Sequence, residues 1–165
     1  MRRANRSDAR PLAAFAAEQF RITYQDDTPA TDLEEHIRQN FGTEQQQAEI
    51  GDPASAVFIA ISDDRVVGYA HVVAGEPDAK SAFLNRIYIH PDFKGHGLAR
   101  ALLAEVTRES RARGAMRLEL TVFERNARAI AFYTKSGFTT IGTATFQVGD
   151  EQQSDHVMEI RLDGI

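Results

Sequence analysis

The 165-residue sequence predicts a single α/β domain. Three observations lead there. Short apolar runs of strand length, such as Val57 to Ile61, alternate with stretches of helical periodicity, such as Leu98 to Arg113. Glycine, proline and paired aspartates punctuate the boundaries between them. No repeat, low-complexity tract or linker divides the chain, and its length suits one compact domain.

Ser7 and Asp8 offer N-caps for a first helix over Pro11 to Phe20. Pro29 interrupts the chain. Thr31 and Glu34 then have capping-box spacing for a second helix, with Leu33, Ile37 and Phe41 as its apolar stripe. A third short helix is expected from Thr43 to Ile50. Val57 to Ile61 and Val66 to Ala74 flank Asp63-Asp64 and read as a hairpin. Phe83 to His90 is the next strand, and Pro91 stops it because proline cannot donate to a ladder. Leu98, Ala101, Leu102 and Val106 mark a helix running to Arg113, with Gly114 in the C-cap place. In Met116 to Phe123, Leu118, Leu120 and Val122 alternate with polar residues, as in a strand. Asn126 is placed to cap a helix reaching Lys135. Phe138 to Phe146 and His156 to Leu162 complete the strands, with the polar segment Gly149 to Asp155 expected as the turn between them.

Composition removes several classes of function. There is no cysteine, which excludes disulfides, thiolate metal sites and a cysteine nucleophile. His36, His71, His90, His96 and His156 are scattered and form no i, i+4 pair, so no catalytic metal is expected. The net charge of −5 argues against a nucleic-acid partner. No apolar run approaches the roughly 18–20 residues of a membrane helix. No signal segment follows Met1-Arg2-Arg3. The expected compartment is the cytoplasm, without a membrane partner.

The most informative stretch is Arg86 to Arg100, where an apolar strand runs into Lys94-Gly95-His96-Gly97 at the start of a helix. First-turn amides have no partner inside a helix, and with the helix dipole they make an anion site. Glycines let a phosphate approach the backbone, and Lys94 and Arg100 add positive charge. A diphosphate group suits such a loop. The loop completes neither the Gly-Lys-Ser/Thr phosphate motif nor the dinucleotide fingerprint. By itself it is equally consistent with a plain strand–turn–helix joint.

A second segment follows the next strand: Asn126, Ala129, Ile130, Phe132, Tyr133, Gly137 and Phe138. Together the two segments resemble the GCN5-related N-acetyltransferase (GNAT) family, over about Val57 to Leu162. The family's Gln/Arg-x-x-Gly-x-Gly/Ala loop corresponds to Lys94, Gly97 and Ala99, with lysine departing from the usual first residue. The resemblance implies a mixed, mostly antiparallel twisted sheet with flanking helices and two splayed central strands. The splay admits the pantetheine arm of acetyl-coenzyme A. It implies cofactor contacts from Ile87, Tyr88 and Ile89 on the strand, and from Lys94, Gly95, His96, Gly97, Leu98, Ala99 and Arg100 in the loop. The second motif would add Asn126, Phe132 and Lys135. Phe146 to Asp155 and Leu84 to Ile89 are similar to PaiA-type spermidine/spermine acetyltransferases, which implies a polyamine acceptor. Related enzymes are often homodimers, and no interface is readable here.

The chemistry implied is acetyl transfer to a primary amine. The amine, with a pKa near 10.4, must lose a proton before it attacks a thioester. A backbone amide at Ile89 or its neighbour would stabilise the carbonyl oxygen. Tyr133 is the candidate general acid for the departing thiolate, and helical spacing sets it on one face with Asn126. Its alternative is core packing beside Phe132. The general base stays unassigned. Glu124, before Asn126, is a candidate for steering the amine, against a solvated loop carboxylate. Asp26 and Asp27 are candidates for holding a cationic acceptor, against a solvated turn. An acceptor other than a polyamine, or a coenzyme-binding module without turnover, also fits the residues.

Overall fold

The computed structural model describes residues 1–164. Its elements in chain order are β1 (Arg2–Arg3), α1 (Ala9–Tyr24), α2 (Ala30–Asn40), α3 (Thr43–Gly51), β2 (Ser55–Ser62), β3 (Arg65–Ala74), β4 (Ser81–Ile89), α4 (Leu98–Ala112), β5 (Arg117–Phe123), α5 (Ala127–Lys135), β6 (Thr139–Val148) and β7 (Glu151–Arg161). One seven-stranded sheet runs β1-β2-β3-β4-β5-β7-β6. Among the described residues only the β4–β5 pair is parallel, and α4 makes the crossover between them. Strand alternation gives the sheet two apolar faces. One buries Val72, Leu84, Leu118 and Leu120 against Leu102 and Val106 of α4. The other buries Ile59, Tyr69 and Phe123 against Leu12, Phe20 and Ile37 of α1 and α2. No helix among the described residues is long and apolar enough to cross a membrane.

The sheet comes apart in the middle. Strands β4 and β5 pair from Ser81–Arg117 to Leu84–Leu120 and no further. At the same place β4 is irregular against β3. Val72 faces Leu84 and His71 faces Arg86, which leaves Asn85 as an extra residue, a β-bulge. Beyond it β4 follows β3 away from β5, so the splay implied by the family resemblance is present.

Four local expectations are corrected. Helix α1 starts earlier and runs a turn longer than Pro11–Phe20, because Tyr24 continues the stripe of Phe20 into the core. Ser7 and Asp8 do not cap it by side chain. Asp8 instead accepts from Arg2 at 2.8 Å and from the Asn5 amide at 2.7 Å. The Thr31–Glu34 capping box does not form, since α2 begins at Ala30 behind Pro29. Glu34 instead accepts from Arg21 of α1 at 2.6 and 3.0 Å, a charge-assisted pair that a neutral cap does not match. Most consequential, only Gly149-Asp150 is a turn, and Glu151–Asp155 already belongs to β7.

The β6–β7 turn is docked on α2. Gly149 has φ +57°, and a Cβ there would overlap Asp32. Gly149→Ala is therefore expected to destabilise the protein by about 1–3 kcal/mol, combining left-handed strain with overpacking. Thermal unfolding of the variant should report this as a clear fall in Tm.

Candidate active site

A cavity of about 220 Å³ occupies the gap where β4 and β5 part. It passes through the sheet, so residues of both faces line it. From the α4–α5 side come Ile87, Val122, Ala129 and Tyr133, and from the helical side Tyr24, Tyr88, Phe123, Phe146 and Asp155.

On the strand side, the His90 amide donates to the Val67 carbonyl at 2.8 Å. Strand period 2 then turns the amides of Ile87 and Ile89 the opposite way, into the gap where β5 has left. At the loop, Gly95 and Gly97 have φ of +85° and +84°, with no atom within 4 Å of where a Cβ would sit. The backbone there is open to close approach. Gly97 is the N-cap of α4, and the first helical bond runs from the Ala101 amide to the Gly97 carbonyl. The amides of Leu98, Ala99 and Arg100 are left free at the positive end of the helix. The Lys94 ammonium lies near Arg128, and partial burial followed by that guanidinium lowers its pKa. Two cations thus influence one another at the glycine loop. Arg128 was not singled out from the sequence.

Asn126 caps α5, its side-chain oxygen accepting from the Ala129 amide at 3.1 Å. That cap starts the helix so that Asn126, Ala129 and Tyr133 share the face lining the cavity. Tyr133 is buried, and burial raises its hydroxyl pKa, so it stays a neutral proton donor. Burial does the same for Tyr88 and Tyr24. The three phenols feel one another and, for Tyr24 and Tyr88, Asp155.

Asp155 is the residue that sequence reasoning missed. It sits on β7 between Phe123 of β5 and Ala144 of β6. It is 4% exposed, and its Oδ1 has no hydrogen-bond partner. Burial, with a contribution from Glu124, raises its pKa to about 6. The signal was available: after the single turn at Gly149-Asp150 nothing punctuates the chain before the apolar strand, and Gln153 and Asp155 alternate inward.

The helical side of the cavity is aromatic. Phe20 stacks on His36 at 4.7 Å, and Tyr24 packs against Phe123 and Phe146 at 5.6 and 6.1 Å. Arg86 lies over Phe41 at 4.7 Å and donates from Nη1 to both Glu49 oxygens at 2.9 and 2.7 Å. Burial, then Arg86, lowers the pKa of His36 and keeps it neutral.

The structure does not bring every candidate to the cavity wall. Asp26 is exposed, and Asp27 accepts from Arg125 at 2.8 Å, tying the end of α1 to the β5–α5 loop. Glu124 is exposed on that loop. Phe132 packs against the α4-side core, and Lys135 is exposed in the last turn of α5. His96 is exposed in the glycine loop. Among the described residues no group of three His, Asp or Glu could hold a metal ion.

A family model described as the Acetyltransferase (GNAT) family matches residues 17–138. An N-acetyltransferase of Mycobacterium tuberculosis, itself uncharacterised, is 34% identical over 152 residues, 92% of this chain and 96% of that protein. Spermidine N(1)-acetyltransferase of Thermoplasma acidophilum is 26% identical over 163 residues, 96% of this chain and 94% of its own. Among solved structures, the PaiA N-acetyltransferase of Thermoplasma acidophilum in complex with coenzyme A superimposes with a TM-score of 0.83 at 22% identity. That match covers 97% of this chain and 96% of the other.

The pKa of Asp155 sets a stability test. Its folded value of about 6 lies above the ordinary 3.8, so the folded state holds a proton that the unfolded chain releases between these values. The contribution is present below about pH 4 and lost as pH rises through about 6. His71, lowered to about 4 mainly by burial, works in the opposite sense over a similar range. Comparing variant with parent cancels it. Asp155→Asn should exceed the parent in Tm at pH 8, by about 1–3 kcal/mol in stability, and lose that advantage at pH 4.

Proposed function

The chain belongs to the Acetyltransferase (GNAT) family, and from that premise we propose that it transfers an acetyl group from acetyl-coenzyme A to a small primary amine, with Asp155 as base and Tyr133 as acid. The observation that carries this assignment is the buried Asp155 carboxylate, one oxygen of which has no hydrogen-bond partner, sharing a through-sheet cavity with Tyr133. The residues suit the coenzyme: open positive-φ glycines and free helix amides for a pyrophosphate, and an unpaired strand edge for an amide-bearing arm.

When bound, acetyl-coenzyme A supplies an electrophilic carbonyl and a thiolate leaving group. Gly97, Leu98, Ala99 and Arg100 offer backbone amides to the pyrophosphate, with Lys94 and Arg128 as its counter-charges. Gly95 and His96 shape the loop. Ile87, Tyr88 and Ile89 offer backbone to the pantetheine arm, and the amides of Ile87 and Ile89 face the carbonyl oxygen as charge develops on it. Asn126, Phe132 and Lys135 support the same arm and the adenylate end. Asp155, ionised above about pH 6, takes the ammonium proton and leaves a neutral nucleophile. Tyr133, held protonated by burial, gives its proton to sulfur as the C–S bond breaks and is re-protonated by the second proton that the nitrogen sheds on becoming an amide. The cavity, about 220 Å³ against the roughly 300–1,000 Å³ of drug-sized sites, favours a small acceptor.

A polyamine is the finer reading of that acceptor. It is supported by the 26% identity to spermidine acetyltransferase over nearly the whole chain. Asp26, Asp27 and Glu124, clustered near the β5–α5 loop, would then meet the distal ammonium groups. An amine with a single cationic centre is the alternative.

Tyr133→Phe should lower kcat about 10²-fold with little change in coenzyme affinity, measured by thiol release and calorimetry. Asp155→Asn should lower kcat/KM by a similar factor and erase the limb near pH 6 from the pH profile. An unchanged limb would remove Asp155 as base. If the acceptor is a polyamine, the Asp26→Asn/Asp27→Asn double variant should raise the spermidine KM several-fold and leave that of acetyl-coenzyme A alone. An unchanged spermidine KM counts against any role for this pair in holding it.

A further inference from the structure

We infer that His71 is a positioning residue for the donor-binding strand: its hydrogen bond to Asn85 holds the one-residue bulge at which β4 leaves β5. The part of this inference that concerns coenzyme affinity rests on the proposed acetyl-coenzyme A site.

His71 is 3% exposed, lies on β3 and does not line the cavity. Both ring nitrogens are used. The Asn85 side-chain amide is 3.0 Å from Nδ1 and, as an N–H group, donates to it. That fixes the proton on Nε2, which donates to Ser55 Oγ at 2.7 Å. Ser55 in turn donates to the Glu49 carbonyl at 2.9 Å. Glu49 turns its carboxylate to Arg86, the residue after the bulge, and to within 3.5 Å of His71 Nδ1. The ring is therefore neutral and fully engaged, in a chain from β2 and α3 to the bulge.

The bulge needs such a fixture. A bulged residue has no ladder partner, so β4 could recover regular pairing by slipping one residue against β3. A slip of one exchanges the two faces of a strand. Arg86 and Tyr88 would move to the α4 side. The amides of Ile87 and Ile89 would turn from the gap toward β3. His71 bonds only when Asn85 is the extra residue, and Glu49 pairs only when Arg86 faces α3. These two bonds lie immediately beyond the point where β4–β5 pairing stops at Leu84–Leu120. They therefore set both the register and the direction of the edge offered to the coenzyme.

The test uses Asn85→Ala, His71→Leu, the double variant and His71→Gln, whose amide retains one acceptor and one donor. Hydrogen exchange of the free protein reads the Arg86 and Tyr88 amides, which face β3, and calorimetry reads acetyl-coenzyme A affinity. Asn85→Ala and His71→Leu should each speed exchange there by about fivefold or more. Each should weaken coenzyme binding by about tenfold, the cost of one hydrogen bond. The double variant should be no worse than the weaker single, and His71→Gln should recover most of the loss, which a merely space-filling role would not produce. Unchanged exchange in Asn85→Ala, or additive losses in the double variant, would overturn the inference. Asn85 faces the cavity, so its truncation should not prevent folding and decides alone if His71→Leu does not fold. Absence of coenzyme binding to the parent protein would reject the proposed function instead, and exchange would still judge the bulge.

Discussion

The site depends on a sheet that stops pairing at its centre. Beyond Leu84–Leu120 the parallel ladder between β4 and β5 is given up, and neither strand finds another neighbour on that side. Backbone amides left without partners are costly in a dry interior. The fold tolerates them because they border a cavity that water or a ligand can enter. The parting strands do not fall away from the molecule. Strand β3 holds β4 through Ile89, and β7 holds β5 through Phe123. The gap is a slot between two paired half-sheets.

Charge is arranged along that slot. At the glycine loop, free amides, Lys94 and Arg128 make a positive end. At the opposite face a single carboxylate, Asp155, sits among phenols with one oxygen unbonded. Burying a carboxylate with one oxygen unbonded works against folding, and burial accordingly raises its pKa. Perturbed groups of this kind gather where proton transfer is needed. The neighbouring Arg86 could have neutralised the cavity, but Glu49 occupies its Nη1, so the aromatic wall gains a cation without quenching Asp155.

Much of the fold was legible because its elements obey strong local periods. The strand–loop–helix from Arg86 through Leu98 and the Asn126 cap were readable from glycine placement and capping chemistry alone. The splayed sheet came from family resemblance, since no residue pattern states how far two strands pair. The bulge at Asn85 is equally silent, because it depends on a histidine 14 residues away. Asp155 escaped because polar residues facing a cavity look like a turn when only hydropathy is weighed. Asp27 looked like a free carboxylate because nothing in the sequence places Arg125 beside it. What sequence conveys poorly here is which charged side chains are already paired with a distant partner.

Strand β7 lies between β5 and β6, although it is the last of the seven to be synthesised. On the ribosome, β5 therefore waits with a bare edge for partners 32–44 residues downstream (Phe123↔Asp155 to Arg117↔Arg161), and β6 emerges before the neighbour it will pair with. Loop-closure entropy must be met before that insertion is rewarded, so the step belongs to the slow part of assembly. A nascent chain lacking β7 has the glycine loop and the donor strand but neither Asp155 nor the finished aromatic chamber. The through-sheet cavity is thus completed by a single late strand insertion, which also carries Asp155 into it.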